Sequence, residues 1–76
     1  MRILVTGGAC FMGAHLIDYL VKLKGHEVFA VDDLSGGYVD NVDKRARFTK
    51  LDLRRRTQTE EYIKKIKPEL IYYLAA

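Results

Sequence analysis

This 76-residue chain has little cysteine and no long apolar run, and each of these features excludes a class of protein. There is one cysteine, Cys10, so an internal disulfide is excluded and a reducing, cytoplasmic setting is expected. No apolar run approaches the roughly 18 residues that a membrane-spanning helix requires, so no membrane partner is expected. The first strand, expected at Arg2 to Val5, leads straight into a glycine turn, which leaves no separable signal peptide.

Patterns typical of metal sites and of nucleic-acid binding are also missing from the sequence. The two histidines, His15 and His26, do not have the spacing of metal ligands, and no metal is expected. The net charge is +3, but the only basic run is Arg54 to Arg56, and no aromatic residues interleave with it. A platform for single-stranded nucleic acid needs such residues, so no nucleic-acid partner is expected.

The composition that remains is that of a small globular chain, with 49% apolar and 30% charged residues. A chain of this length forms one domain at most and buries only about 60% of its unfolded surface. We therefore treat residues 1–76 as a single domain of low stability.

Short apolar runs recur along the chain and predict four strands. They lie at Arg2 to Val5, Glu27 to Val31, Arg47 to Leu51 and Leu70 to Leu74. Helical patterns separate the runs, so the connections are expected to be crossovers between parallel strands.

The segments between the strands carry helix and loop signals. Apolar spacing predicts a first helix over Met12 to Lys24, with Gly25 as its left-handed cap. A second helix is predicted to begin at a capping box, Thr57 to Glu60, and to end at Pro68. The polar stretch Asp32 to Asn41 is predicted to be a loop, followed by one helical turn.

The glycine-rich turn between the first strand and the first helix is the strongest functional signal. Gly7 permits a tight turn, and Gly13 lets the helix press against the strand, while the free N–H groups at the helix start would face a pyrophosphate. Asp32 follows 19 residues after Gly13, where an acid that binds ribose hydroxyls and repels a 2′-phosphate is expected. The pattern predicts a dinucleotide site that prefers NAD to NADP.

Four segments in register resemble one family. Thr6 to Leu16 is similar to the opening signature of the extended short-chain dehydrogenases/reductases, the NAD-dependent sugar-nucleotide epimerases and dehydratases. Val31 to Gly37, Asp52 to Arg54 and Tyr73 to Ala76 resemble three later motifs of that family. The resemblance implies a Rossmann-like α/β half-fold of three layers, with four parallel strands in the order 3-2-1-4.

The resemblance also implies roles for residues outside the glycine turn. Asp52 would accept a hydrogen bond from the adenine amine, and Leu53 would touch the ring. Asp33 replaces a frequent asparagine and adds a carboxylate to the ribose pocket, whereas Ser35 and Gly37 line the adenosine or form a plain turn. The predicted cofactor-binding residues are Gly7, Cys10, Phe11, Met12, Gly13, Asp32, Asp33, Ser35, Gly37, Asp52, Leu53 and, beside the nicotinamide, Leu74, Ala75 and Ala76.

Cys10 departs from the family pattern, because a glycine is usual at this position. A side chain there adds bulk where phosphate approaches most closely, and it is strained if the turn requires a positive φ. We expect weakened NAD binding; the alternative is a slightly shifted loop that tolerates the cysteine.

The catalytic pair of the family, Tyr-x-x-x-Lys, does not occur in the 76 residues, so no catalytic residue is assigned. The first hypothesis is an amino-terminal NAD-binding fragment of an epimerase- or dehydratase-like enzyme that does not catalyse alone. The second is a small non-enzymatic α/β module that self-associates, with cofactor binding weakened at Cys10. Under either hypothesis the fourth strand offers an unpaired edge, which favours a homo-oligomer.

Overall fold

The computed structural model describes residues 1–74 and contains one parallel sheet of four strands. The strands are β1 (Arg2–Thr6), β2 (Glu27–Asp32), β3 (Arg47–Lys50) and β4 (Leu70–Tyr73). Their spatial order is β3-β2-β1-β4, with every neighbouring pair parallel. The predicted fold class and strand order are confirmed, and the predicted strand bounds differ by at most one residue.

Two helices cover opposite faces of the sheet and complete the three layers. Helix α1 (Phe11–Leu20) packs on one face and α2 (Arg56–Ile66) on the other. The buried residues on the α1 face include Ile3, Val5, Ile17, Val28 and Ala30. Those on the α2 face are Leu4, Phe29, Val31, Leu51 and Ile66. Alternate residues of β1 and β2 therefore enter two separate cores, as expected for strands that are buried on both faces.

Helix α1 is shorter than predicted, because the chain leaves the helical path at Leu20. The amides of Lys22 and Leu23 bond to carbonyl oxygens three residues earlier, at 3.3 and 3.1 Å, which makes tight turns of the segment predicted as a last helical turn. Gly25 has the expected positive φ of 85°, but it turns the chain into β2 and does not cap the helix. Apolar spacing alone does not distinguish an α-helical turn from such a sequence of turns.

The predicted capping box at the start of α2 is wrong. The helix begins at Arg56 with Arg55 at the N-cap, so Thr57 lies inside the first turn. The Arg55 amide donates to the Asp52 carbonyl at 2.9 Å, and this turn starts the helix earlier. Glu60 instead accepts a hydrogen bond from the Arg56 side chain at 3.0 Å, an exposed pair one turn apart. At the other end Lys67 adopts a left-handed conformation (φ 49°) before Pro68, as a helix stop requires.

The loop between β2 and β3 contains the predicted helical turn, but at Val39–Asn41, inside the segment expected to be irregular. The helices have 10 and 11 residues, and within residues 1–74 none is long and apolar enough to cross a membrane.

Candidate functional site

The glycine turn has the two features that its sequence predicts, a tight turn at Gly7 and close packing of the helix at Gly13. Gly7 has a φ of 71°, in the region that favours glycine, and its carbonyl oxygen accepts the Cys10 amide at 3.2 Å. A Cβ atom on Gly13 would overlap that same carbonyl oxygen. The first turn of α1 therefore packs directly against the turn that leaves β1, which brings the helix N-terminus to the carboxyl end of the sheet.

Cys10 is the N-cap residue of α1, and its backbone is extended, with φ −81° and ψ 170°. Any L-residue adopts this conformation without cost, so the turn does not require the positive φ on which strain at Cys10 depended. The half-buried thiol donates a hydrogen bond to the Gly7 carbonyl oxygen at 2.7 Å. The bulk of the side chain beside the helix start is the remaining reason to expect weaker phosphate binding.

The start of α1 is open to an anion. Phe11 and Met12 are exposed, and their helix contains no acidic residue in its first turn. Within residues 1–74, no side chain caps the helix N-terminus. The first backbone bond of the helix runs from Ala14 to Cys10, so the three amides before it point out of the helix end. Such amides, together with the helix dipole, attract a phosphate.

Asp32, the last residue of β2, links the glycine turn to the following loop. One carboxylate oxygen accepts the Ala9 amide at 3.0 Å and the other accepts the Leu34 amide at 2.8 Å. Leu34 is held in a left-handed conformation, φ 66°, which is uncommon for a leucine. Because each carboxylate oxygen can accept more than one hydrogen bond, Asp32 keeps acceptor capacity for ribose hydroxyls.

The carbonyl group of Ala9 is held by the loop after β2, a contact that sequence reasoning missed. It accepts the Asn41 side-chain amide at 3.1 Å and the Tyr38 backbone amide at 3.3 Å. Gly37 lies so close that a Cβ there would overlap the Ala9 oxygen. Gly37 therefore has a packing reason to be glycine, beyond the plain turn considered from the sequence.

Asp33 and Ser35 form a compact turn of their own beside Asp32. One Asp33 oxygen accepts both the backbone amide and the hydroxyl of Ser35, at 2.9 and 2.7 Å. The bond from the Ser35 backbone amide, reinforced by the hydroxyl, lowers the pKa of Asp33 below its usual 3.8. Asp33 is therefore an anion at neutral pH, with no proton to donate to a ligand.

Asp52, which follows β3, is paired with Arg54. The carboxylate accepts the Arg54 amide at 2.9 Å and its guanidinium group at 3.0 and 2.9 Å. The guanidinium, with the backbone bond, lowers the pKa of Asp52 from 3.8 to about 2. Leu53 packs against the core on the α2 face. An open groove of about 440 Å³ is lined by Asp33, Ser35, Lys50, Leu51, Asp52, Arg54, Arg55 and Gln58.

Leu74 is fixed at the carboxyl end of β1. Its amide lies 3.0 Å from the Thr6 hydroxyl and 3.2 Å from the Thr6 carbonyl oxygen, so it donates to both. Ala75 and Ala76, also predicted to bind cofactor, lie outside the described residues. Among residues 1–74, histidine, cysteine and acidic side chains form no group of three that could hold a metal ion.

Eight of the predicted residues fall into two neighbouring sets at the carboxyl ends of the strands. The first set forms the glycine turn and its contacts with the end of β2 and the following loop, and consists of Gly7, Cys10, Gly13, Asp32 and Gly37. The second, comprising Asp33, Ser35 and Asp52, lines the groove, and Asp32 adjoins Asp33 in the chain. Phe11 and Met12 are exposed at the start of α1, Leu53 packs against the α2-face core and Leu74 follows β4. In open parallel sheets, ligands bind in the crevice outside the carboxyl ends of the strands.

The fold and the turn define a Rossmann-type protein, and comparison with known proteins agrees. The sequence profile of the NAD dependent epimerase/dehydratase family matches residues 3–76. The chain belongs to this family.

Individual relatives are enzymes that act on sugar nucleotides. The chain is 40% identical over 75 residues to UDP-glucuronic acid decarboxylase 6 of Arabidopsis thaliana, covering 99% of this chain and 21% of that protein. The UDP-glucose 4-epimerase of Thermotoga maritima, solved with UDP-glucose, is similar in structure with a TM-score of 0.93 and 39% identity. The UDP-glucose 4-epimerase of Thermus thermophilus, solved with NAD, has a TM-score of 0.91 to this chain and 38% sequence identity. Both structural comparisons cover 100% of this chain and 24% of the other, so it spans about a quarter of their length.

Proposed function

We propose that residues 1–76 form a truncated dinucleotide-binding domain, the amino-terminal NAD-binding part of a sugar-nucleotide epimerase- or dehydratase-like enzyme. The observation that carries the proposal is the position of Asp32. Its carboxylate is bonded to the Ala9 amide, so a ribose-binding acid lies directly beside the uncapped start of α1.

Each part of the dinucleotide has a chemically suitable partner. The pyrophosphate would lie against the first amides of α1, and the adenosine ribose would donate to Asp32. The groove beside Asp33, Ser35 and Asp52 would take the adenine, whose amine can donate to the ionised Asp52. The nicotinamide would lie toward Leu74, Ala75 and Ala76. When bound, the nicotinamide supplies hydride transfer; the residues of this chain bind and orient it.

Preference for NAD over NADP follows from the same charges. Asp32 and Asp33 are adjacent carboxylates at the ribose end of the site, and the pKa of Asp33 is held below its usual value by Ser35. A 2′-phosphate placed there would meet two like charges, which costs binding free energy unless a cation intervenes. A reducing, cytoplasmic setting, inferred from the single cysteine, belongs to the same proposal.

The chain alone is proposed not to catalyse. The Tyr-x-x-x-Lys pair is absent from the sequence, and matched relatives are about four times as long. The sugar nucleotide would be bound and converted by the remainder of such an enzyme.

The direct test is a titration with NADH, followed by the fluorescence of the reduced nicotinamide. We expect saturable binding by the wild-type chain and weaker binding of NADPH. A control away from the proposed site is Lys64→Ala, an exposed position in the last turn of α2. Absence of binding at millimolar NADH by a folded chain would contradict the proposal and favour the self-associating, non-enzymatic module.

We also propose that the chain self-associates through β4. This strand lies at the edge of the sheet, and its four apolar side chains, Leu70, Ile71, Tyr72 and Tyr73, are all exposed. An apolar edge with free backbone groups pairs readily, and two copies can meet antiparallel about a two-fold axis.

Sedimentation equilibrium tests this association. We expect a species heavier than the 8.7 kDa monomer and a shift toward monomer in Tyr72→Lys. A folded monomer at hundreds of micromolar would contradict the association. Association that survives Tyr72→Lys would place the contact elsewhere.

A further inference from the structure

The backbone of Ala9 is held at both its amide and its carbonyl group, by the last residue of β2 and by a residue of the following loop. Asp32 accepts its amide and Asn41 donates to its carbonyl group, at 3.0 and 3.1 Å. The peptide unit between Ala9 and Cys10 is planar, so fixing the Ala9 oxygen also fixes the direction of the Cys10 amide. Cys10 is the N-cap residue of α1, and its carbonyl group accepts the first helical bond from Ala14 at 2.9 Å.

We propose that Asn41 is a positioning residue for the phosphate end of the site. Its side-chain amide holds the Ala9 carbonyl group, and thereby sets where the first amides of α1 point. The inference rests on the proposed dinucleotide function, and it assigns to Asn41 a role without direct contact with the ligand.

The role belongs to the Asn41 side chain, because the turn around it is held by backbone bonds. The Asn41 amide bonds to the Tyr38 carbonyl oxygen and the Val42 amide to the Val39 carbonyl oxygen, both at 3.0 Å. Those bonds do not involve the Asn41 side chain. Removing it should therefore leave the Ala9 carbonyl group held only by the longer bond from the Tyr38 amide, at 3.3 Å, while the Val39–Asn41 turn remains.

The same contact connects the two halves of the proposed site. Asn41 follows the Asp33–Gly37 stretch that borders the adenosine groove, whereas Ala9 belongs to the glycine turn. A ligand that carries both adenosine and pyrophosphate needs the two segments at a fixed separation. A ligand that carries only adenosine does not.

The test compares Asn41→Ala and Asn41→Asp with the neighbouring control Asp40→Ala. Asn41→Asp keeps the shape of the side chain but replaces the donor by an acceptor that faces the Ala9 oxygen. Loss of one hydrogen bond predicts that NADH binds about 2- to 12-fold more weakly to both Asn41 variants. Adenosine, which lacks phosphate, should bind within about twofold of wild type, and Asp40→Ala should match wild type for both ligands.

A second readout requires no ligand. The Ala9 and Cys10 backbone amide resonances should shift in both Asn41 variants, while unfolding midpoints and the resonances of β3 stay near wild type. Equal losses for NADH and adenosine, or unchanged NADH affinity in Asn41→Ala, would overturn the positioning role. Failure of the wild-type chain to bind NADH would instead refute the proposed function; unmoved Ala9 and Cys10 resonances would then refute the contact itself.

Discussion

Strands β2 and β4 each contain a run of four apolar residues, but only the run in β2 is buried. Val28 to Val31 of β2 are buried, since β1 and β3 flank the strand and both faces are covered. Leu70 to Tyr73 of β4 are exposed at the sheet edge. An apolar run therefore predicts a strand, but its burial depends on neighbours that lie far away in the sequence.

The difference extends to the site. The end of β2 is fixed to the glycine turn through Asp32, while β4 reaches the site only through Leu74 and its bonds to Thr6. Residues that would bind the adenosine and pyrophosphate thus follow β1, β2 and β3. In the proposed site the nicotinamide would lie toward β4.

The largest expected difference between a buried strand and the exposed β4 concerns Leu4 of β1 and Ile71 of β4, which are paired in register. Leu4 is 1% exposed and Ile71 is 48% exposed. Leu4→Ala should lower the free energy of unfolding by about 2–5 kcal/mol because it leaves a cavity. Ile71→Ala should cost under about 1 kcal/mol in the monomer, because half of its surface already meets water.

Urea denaturation at micromolar concentration measures both variants. Equal losses of unfolding free energy in the two variants would mean that β4 is covered in solution. Repeating the measurement at high protein concentration would show whether a second copy covers the strand.

The sequence predicts those structural features that are determined by residues close together in the chain. The positions of Gly7 and Gly13 in the turn and of Asp32 at the end of β2 were predicted because each is tied to a motif with fixed spacing. The end of α1 at Leu20 was missed, since apolar residues continue through the turns that follow. The strand order came from the family resemblance, because local patterns do not encode which strands pair.

Asn41 shows the same limit at the site. It contacts Ala9, which is 32 residues away in the sequence, and no motif marks the pair. The capping-box prediction failed for the opposite reason. A local pattern was present at Thr57, but the turn from Asp52 to Arg55 started the helix first.

The next largest effect is expected at Asp32, at the end of the buried strand β2. Asp32→Ala removes ribose acceptors and the bond to Ala9, so NADH affinity should fall by about 1.5–3 kcal/mol, the range for hydrogen bonds to a charged group. Asp32→Asn loses the charge and one of the two oxygens that accept the Ala9 and Leu34 amides, so it should weaken NADH binding and also reduce discrimination against NADPH.

Asp43→Asn is the control for Asp32, because the Asp43 carboxylate pairs with Arg45 and lies away from the groove. Titrations with NADH and NADPH measure all three variants. An unchanged cofactor preference in Asp32→Asn would reassign Asp32 to a purely structural role.

A slightly smaller effect is expected where α1 meets the glycine turn. In Gly13→Ala the new Cβ would overlap the Gly7 carbonyl oxygen, and such overpacking costs about 1–3 kcal/mol of stability. The loss should appear although alanine is the better helix former by about 1 kcal/mol. Gly36→Ala, whose Cβ meets open space, should be near neutral. Similar urea midpoints for the two variants would mean that the turn adjusts at little cost.

Cys10 offers a milder change in the same region. Its φ of −81° removes strain as a cause, so Cys10→Gly should tighten NADH binding only a few-fold, by removing bulk beside the phosphate. Cys10→Ser keeps most of the bulk and should bind like wild type. Calorimetry that gives equal affinity for the Cys and Gly forms would show that the loop accommodates the side chain, the alternative considered from the sequence.

The smallest expected effect separates two similar ion pairs. Asp52 pairs with Arg54 in the groove, and Asp43 pairs with Arg45 away from it; in each pair an arginine lowers the aspartate pKa from 3.8 to about 2. Because the folded-state pKa values lie below the usual value, each pair stabilises the fold above about pH 4, and the contribution is lost as the pH falls toward 2. Asp43→Asn and Asp52→Asn should therefore each slightly reduce the loss of unfolding free energy between about pH 4 and pH 2; the effect is small since both pairs are exposed.

At neutral pH only Asp52→Asn should weaken NADH binding, because only Asp52 faces the proposed adenine groove. Equal NADH affinity in the two variants would remove Asp52 from the site and leave it the same surface role as Asp43.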